Sequence, residues 1–279
     1  MADQSVKTIL LTGAKGMFGQ DAVNIFEANG YKVIPVDIQD FDITSEGSVN
    51  DYFRDLKCDF VVHAAAYTQV DLAETEKEKA FLINAKGAEN IAKASAAKNI
   101  PIVYISTDYV FDGEGNTPYL PTNKTNPQSV YGASKLEGEL VIQKYNPKHY
   151  ITRTSWLYGK NGKNFVDTML NLAKTQPDLK VVDDQTGCPT CTYDLAEGIL
   201  KIIGDNSPFG IYHVCGSGFT TWYGFAKKIF QMSNINIEVI PVKTEEFPRP
   251  AKRPKFSVME NNDICRNWEQ SLSMYLNTR

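Results

Sequence analysis

The chain has 279 residues, 42% of them hydrophobic and 22% charged, with 29 basic residues against 33 acidic ones for a net charge of −4. This is an ordinary globular balance with enough apolar residues for a sizeable core, and it excludes a broad positive field for nucleic acid or an anionic membrane. No stretch is apolar for long enough to span a bilayer, Met1–Ser5 lacks the apolar run of a signal peptide, and the cysteines are odd in number (Cys58, Cys188, Cys191, Cys215, Cys265), so a cytoplasmic protein is expected.

Lys7–Thr12 (KTILLT) is a short apolar run stopped by Gly13 and reads as a buried parallel strand. From about Gly16 to Asn29 apolar residues recur at helical spacing, with Gly30 as a C-terminal stop. Tyr31–Val36 predicts a second strand that ends at Asp37. A helix near Ser48–Lys57, a strand over Phe60–Val62, a long alanine-rich helix through Ala80–Lys98 and a fourth strand over Ile102–Ile105 follow. Strands alternating with helices of this length predict right-handed βαβ units and a parallel sheet, the Rossmann-like doubly wound α/β class. Ligands of such sheets bind beyond the carboxyl ends of the strands, so the polar residues after strands one to four are expected to share one crevice.

Beyond about Tyr150 the pattern loosens. Ile151–Thr154 reads as a strand, Phe165–Lys174 and Trp222–Met232 as helices, and Pro248–Lys255 (PRPAKRPK) holds too much proline to be helical. The division expected is a dinucleotide-binding domain over 1–154 and a smaller, mainly substrate-binding lobe over 155–279, interleaved with the first.

Gly13, Gly16 and Gly19 sit where the first strand turns into the first helix, bracketing Met17 and Phe18. Backbone without Cβ lets amides and a helix N-terminus approach a diphosphate. Asp37 closes the second strand, where an acid accepts hydrogen bonds from the adenosine ribose and repels a 2′-phosphate. No basic residue follows it directly, which favours NADH, although Lys15 in the glycine turn is placed to reach a phosphate. Asp42 and Ile43 are expected under the adenine. Ala64 and Ala65 follow the third strand and let the backbone pass close to the cofactor; His63 is given no role.

Tyr131-Gly132-Ala133-Ser134-Lys135 carries the sharpest chemical signal. A tyrosine and a lysine four apart share one helix face, and an ammonium beside a phenol favours the phenolate. Such a pair provides a proton donor for a developing alkoxide. A hydroxyl at Thr107, after the fourth strand, can hydrogen-bond a substrate carbonyl and complete a Thr107–Tyr131–Lys135 set.

These residues resemble the extended short-chain dehydrogenase/reductases, and the segments between them resemble the dTDP-4-dehydrorhamnose reductase family. The matching stretches are Ala64–Glu74 (AAAYTQVDLAE), Ser106–Phe111 (STDYVF), Tyr131–Gly138 (YGASKLEG), Arg153–Tyr158 (RTSWLY), Asp184–Thr190 (DQTGCPT) and Arg253-Pro254. The resemblance implies reduction of the 4-keto group of dTDP-4-dehydro-β-L-rhamnose by NADH or NADPH. Tyr131 would protonate the oxygen, Lys135 would hold the nicotinamide ribose and depress the tyrosine's pKa, and Thr107 would orient the ketone. It also implies that Tyr67 joins the cofactor set, that Thr68, Val70, Asp71 and Asp108 meet the substrate, and that Trp156 covers the sugar ring. Arg253, in a basic cluster with Arg249, Lys252 and Lys255, would close on the diphosphate. Magnesium and a homodimer are implied by the resemblance alone.

Cys188-Pro189-Thr190-Cys191 is a lone CxxC with neither a second pair nor a nearby histidine, and reads as coincidence. Two other readings stay open. One is a sugar-nucleotide dehydratase or epimerase, although Asp108 is followed by Tyr109 where elimination wants a second acid. The other is a non-catalytic dinucleotide-binding regulatory subunit, such as the β subunit of methionine adenosyltransferase.

Overall fold

The computed structural model describes residues 6–278; the Met1–Ser5 segment read above for a signal peptide lies outside the described residues. Twelve strands occur along the described chain: β1 Thr8–Thr12, β2 Lys32–Val36, β3 Phe60–His63, β4 Ile102–Thr107, β5 His149–Thr154, β6 Leu157–Tyr158, β7 Asp178–Val182, β8 Thr186–Gly187, β9 Thr190–Cys191, β10 Gly210–His213, β11 Thr220–Thr221 and β12 Glu238–Val242. Six of them form one parallel sheet in the order β10-β5-β4-β3-β1-β2. The other six pair off as short two-stranded pieces in the second half of the chain.

The sheet is covered on both faces because its strands are apolar on both. Ile9 and Leu11 of β1 meet Phe18, Ile25 and Phe26 of α1 (Met17–Ala28) and Leu195 and Ile199 of α8 (Thr192–Gly204). Leu10 points the other way, toward Val49 and Phe53 of α2 (Glu46–Arg54), Ile91 of α5 (Ala88–Ala97) and Ile142 of α6 (Val130–Tyr145). This alternation is the two-residue period of a strand buried on both sides. The fold is thus the doubly wound α/β class expected from the sequence.

The alanine-rich stretch departs from a single helix. It runs as α4 (Lys77–Phe81), a π-helical stretch over Leu82–Gly87, and then α5. Asn84 is buried inside the wide turn. Its Oδ1 accepts from the Tyr67 amide at 2.7 Å, and its Nδ2 donates to the Tyr67 carbonyl at 3.0 Å and the Ser134 hydroxyl at 2.9 Å. Wide turns of this kind concentrate at functional sites.

A second core gathers α7 (Phe165–Leu172), α9 (Trp222–Met232) and α10 (Trp268–Thr278) around Tyr158, Phe225 and Trp268. Between them, α8 and β10 return to the main sheet, α8 against α1 and β10 beside β5. No helix among the described residues is long and apolar enough to cross a membrane.

Candidate active site

Thr12, Val36, Ala64, Thr107 and Thr154 stand at or just past the carboxyl ends of five sheet strands, and all five line one cleft of about 920 Å³. The strand order turns back beside β1, which places the cleft at the switch point where doubly wound sheets bind ligands. Gly13, Gly16, Met17, Phe18, Gly19, Asp37, Asp42, Ile43, Ala64, Ala65, Thr68, Val70, Thr107, Asp108, Tyr131, Lys135 and Trp156, all singled out from sequence, line it together.

The glycine turn is built for close backbone approach. Gly13 has φ +71°, and a Cβ there would meet the Ala65 amide nitrogen at 2.7 Å. A Cβ at Gly19 would stand 2.2 Å from the Gly13 carbonyl. Asp37 is tied to the turn, its Oδ2 accepting from the Lys15 amide at 3.0 Å and its Oδ1 from the Ile38 amide at 2.9 Å. The Lys15 ammonium reaches along the same rim to Gln39 Oε1 at 2.7 Å.

Across the cleft, Ser129 caps α6 by accepting from the Gly132 amide, which points Tyr131 and Lys135 back toward β4. At Gly138 a Cβ would lie 2.1 Å from the Tyr104 hydroxyl, so only glycine lets α6 sit this close to the strand. The Lys135 ammonium lies 4.1 Å from the centre of the Tyr104 ring. Thr107 donates to Asp108 Oδ1 at 3.0 Å and stands within hydrogen-bonding reach of the Tyr131 hydroxyl.

Burial dominates the electrostatics of the site. Burial pushes the Tyr131 phenol up to about 12, the hydrogen bond with Thr107 pulling it down and the Asp108 carboxyl raising it further. Burial also lowers the Lys135 amine to about 7, against an upward pull from Glu139. Burial is the largest influence on both groups. The phenol is held protonated, as a proton donor must be. Burial likewise raises the Asp108 carboxyl to about 6, against hydrogen bonds that include Thr107.

The far wall is aromatic. Trp156 has φ +46°, in the left-handed region that an indole-bearing residue rarely adopts, and its ring stacks on Trp222 with centroids 3.5 Å apart. Trp222 in turn donates to Gln185 Oε1 at 3.1 Å. Neither Trp222 nor Gln185 was singled out as a site residue from the sequence, although Gln185 lies in the matching stretch Asp184–Thr190, because their partners are remote along the chain. Tyr109, edge-on to the Tyr131 ring at 5.6 Å, also lines the cleft unannounced.

Three expected residues lie outside this lining. Tyr67 is buried against Ala73 and Ala80 and donates to Glu76 at 3.0 Å, behind the cleft wall. The Asn84 clamp on both of its backbone groups holds it there. Asp71 and Arg253 meet each other instead, in a two-pronged ion pair at 2.5 and 2.8 Å, which ties the proline-rich segment to the helical turn at Val70–Ala73. Arg253 holds the Asp71 carboxyl below the usual range.

The CxxC cysteines separate: Cys191 packs in the second core, while Cys188 neighbours Cys215 in another cluster, and all five thiols are free. Among the described residues no three His, Cys, Asp or Glu side chains gather as a metal cage, so no residue is assigned to magnesium.

A family model described as "RmlD substrate binding domain" matches residues 7–278. The chain is 41% identical to the spore coat polysaccharide biosynthesis protein SpsK of Bacillus subtilis, over 97% of each chain. Among solved structures it is similar to a dTDP-4-dehydrorhamnose reductase from Clostridium acetobutylicum, with TM-score 0.94 and 47% identity over 97% of this chain and 98% of that one. It is also similar to one from Bacillus anthracis in complex with NADP, with TM-score 0.95 and 39% identity over 99% and 100%.

Proposed function

We propose, for a chain that belongs to the dTDP-4-dehydrorhamnose reductase family, that it is an NAD(P)H-dependent oxidoreductase reducing the 4-keto group of dTDP-4-dehydro-β-L-rhamnose to give dTDP-L-rhamnose. The observation that carries this is the convergence of the glycine turn, Thr107, Tyr131 and Lys135 on one cleft at the strand ends. The cradle fits a dinucleotide: side chains are missing where the backbone must approach a diphosphate, and an acid stands at the end of β2. The dinucleotide supplies a hydride to the ketone carbon.

The residues of this chain supply the rest. Thr107 and Tyr131 hold the ketone oxygen, and the Tyr131 hydroxyl gives it a proton as negative charge develops there. Lys135 binds the nicotinamide ribose and fixes the phenol's orientation. Asp37 accepts from the adenosine ribose, while Lys15, beside it on the rim, accommodates a 2′-phosphate, so both NADH and NADPH serve. Trp156 offers an apolar face to the deoxysugar. Asp108 and Thr154, which also line the cleft, offer a carboxyl and a hydroxyl toward the substrate's hydroxyls. Residues 1–154 form the dinucleotide half and 155–279 mainly the substrate half, with α8 and β10 crossing back.

The reading is tested by following absorbance at 340 nm with purified protein, either cofactor and dTDP-4-dehydrorhamnose. Stoichiometric oxidation with formation of dTDP-rhamnose is expected. Tightly bound NAD that stays bound and exchanges no hydride with added cofactor points to an epimerase and overturns it.

A further inference from the structure

Tyr131, Lys135 and Glu139 follow one another at four-residue intervals on α6 and so share one face. The first two line the cleft; the third is fully buried below it. Glu139 Oε1 accepts from the Ser106 hydroxyl at 2.5 Å and from Arg153 Nε at 2.9 Å, and its Oε2 accepts from Arg153 Nη2 at 2.6 Å. Ser106 and Arg153 are register partners on β4 and β5, one step below the Thr107–Thr154 pair that opens the cleft. Arg153 is itself buried over the Phe111 ring at 5.0 Å and donates to the Pro121 carbonyl at 3.2 Å.

A buried ion pair is a poor device for stability, since well-packed apolar residues often serve as well or better. Its position one helical turn from Lys135 suggests another use. We infer that Glu139 is a positioning residue for Lys135: locked by Ser106 and Arg153, its carboxylate fixes α6 against the ends of β4 and β5 and keeps the lysine cationic at the cleft. This rests on the reading of Lys135 as the ribose partner of the dinucleotide.

The groups that face Lys135 leave this task to Glu139. Burial alone lowers the amine, and the Glu139 carboxylate is the charge that raises it again. Tyr104 on β4 offers its ring, and Tyr131 on α6 a protonated phenol. His63 on β3 is buried and held neutral, its pKa lowered to about 3 by burial and by Lys135 itself. Asp108, just past β4, faces Tyr131 and Thr107. On the elements behind α6, Lys79 and Lys86 are paired with Glu76 and Glu89, Glu74 accepts from the Val130 amide at the helix start, and Lys93 lies over Tyr145 at its end. Arg153 adds a positive charge beyond Glu139 and works against Lys135 once the carboxylate is gone.

The test is NADH affinity, read by fluorescence from pH 5.5 to 9.5 on the full chain; NADH is used because it has no 2′-phosphate to titrate. Affinity is expected to fall as pH rises through the lysine's pKa, since neutral lysine has lost its charge. Glu139→Gln should move that limb about one pH unit to the acid side, the effect of removing one charge one helical turn away. Glu139→Asp, which keeps the charge, should leave the limb near the wild-type position. The double variant Glu139→Gln/Arg153→Met also removes the orphaned guanidinium, so it should fold even where the single variant does not, and its limb should again lie acid of wild type. Limbs of the Gln variants superposing on wild type overturn the inference. Wild-type protein that binds no NADH at any pH overturns the dinucleotide reading instead.

Discussion

The two walls of the cleft are made in different ways. The near wall, from Gly13 to Ile43 with Ala64 and Ala65, is mostly main chain, bent and bared at the ends of consecutive strands. The far wall is side chain, with Trp156 facing the cleft and backed by Trp222 and Gln185, contributed by segments dozens of residues apart. In the proposed function the near wall would meet the diphosphate and ribose of the dinucleotide with backbone and one acid, and the far wall would select what is reduced. Between them stand Thr107, Tyr131 and Lys135.

That division can be broken by substitution. Tyr131→Phe, between the walls, should lower kcat by about 10²–10⁴ and leave dinucleotide affinity within about twofold, since only the proton donor is lost. Paired measurements of turnover and NADPH binding check this, and a matching loss in both would place Tyr131 in the near wall. Trp156→Ala should raise KM for the nucleotide sugar roughly tenfold, the worth of an aromatic face, while KM for NADPH stays put. A rise in both would show that the walls are not independent. Asp37→Ala should shift the NADPH-to-NADH ratio of kcat/KM a few-fold toward NADPH, and an unchanged ratio would remove the aspartate from ribose recognition.

Another effect is on stability. Asp108 binds its proton more tightly when folded than when unfolded, since its buried carboxyl is raised to about 6 from an ordinary value near 3.8. Between those values the native state holds more protons, so its contribution to stability falls as pH rises, with the full cost present above pH 6. Asp108→Asn should therefore stabilise the fold by on the order of 1–3 kcal/mol at pH 8 and by almost nothing at pH 4. Thermal melts at the two pH values check the sign. Equal effects at both would mean that the carboxyl's charge is not what strains the site.

The same contrast explains what the sequence discloses. Near-wall residues sit at strand ends, and strand ends follow from local apolar runs and glycines, so Gly13 and Asp37 can be found without coordinates, as can Thr107 at the end of β4. Tyr131 and Lys135 are legible through helical spacing. Trp222, Gln185 and Asn84 owe their places to packing between remote segments, for which a single chain gives no local periodicity. Tyr67 is the converse case: its neighbours in sequence line the cleft, while its own side chain packs behind the wall and Asn84 clamps its backbone. A buried asparagine inside an alanine-rich helix was the available signal. Glu139 escaped notice for a related reason, because a glutamate on a helix ordinarily faces water and only the strand register brings Ser106 and Arg153 to it.

The central claim, that a hydride crosses from the near wall to a sugar on the far one, is tested most directly by isotope. Reduction of dTDP-4-dehydrorhamnose with NADPH deuterated at the transferring C4 position should yield dTDP-rhamnose carrying one deuterium at sugar C4, seen by NMR. Product without deuterium at that carbon, or label retained on the dinucleotide while the sugar turns over, would contradict it.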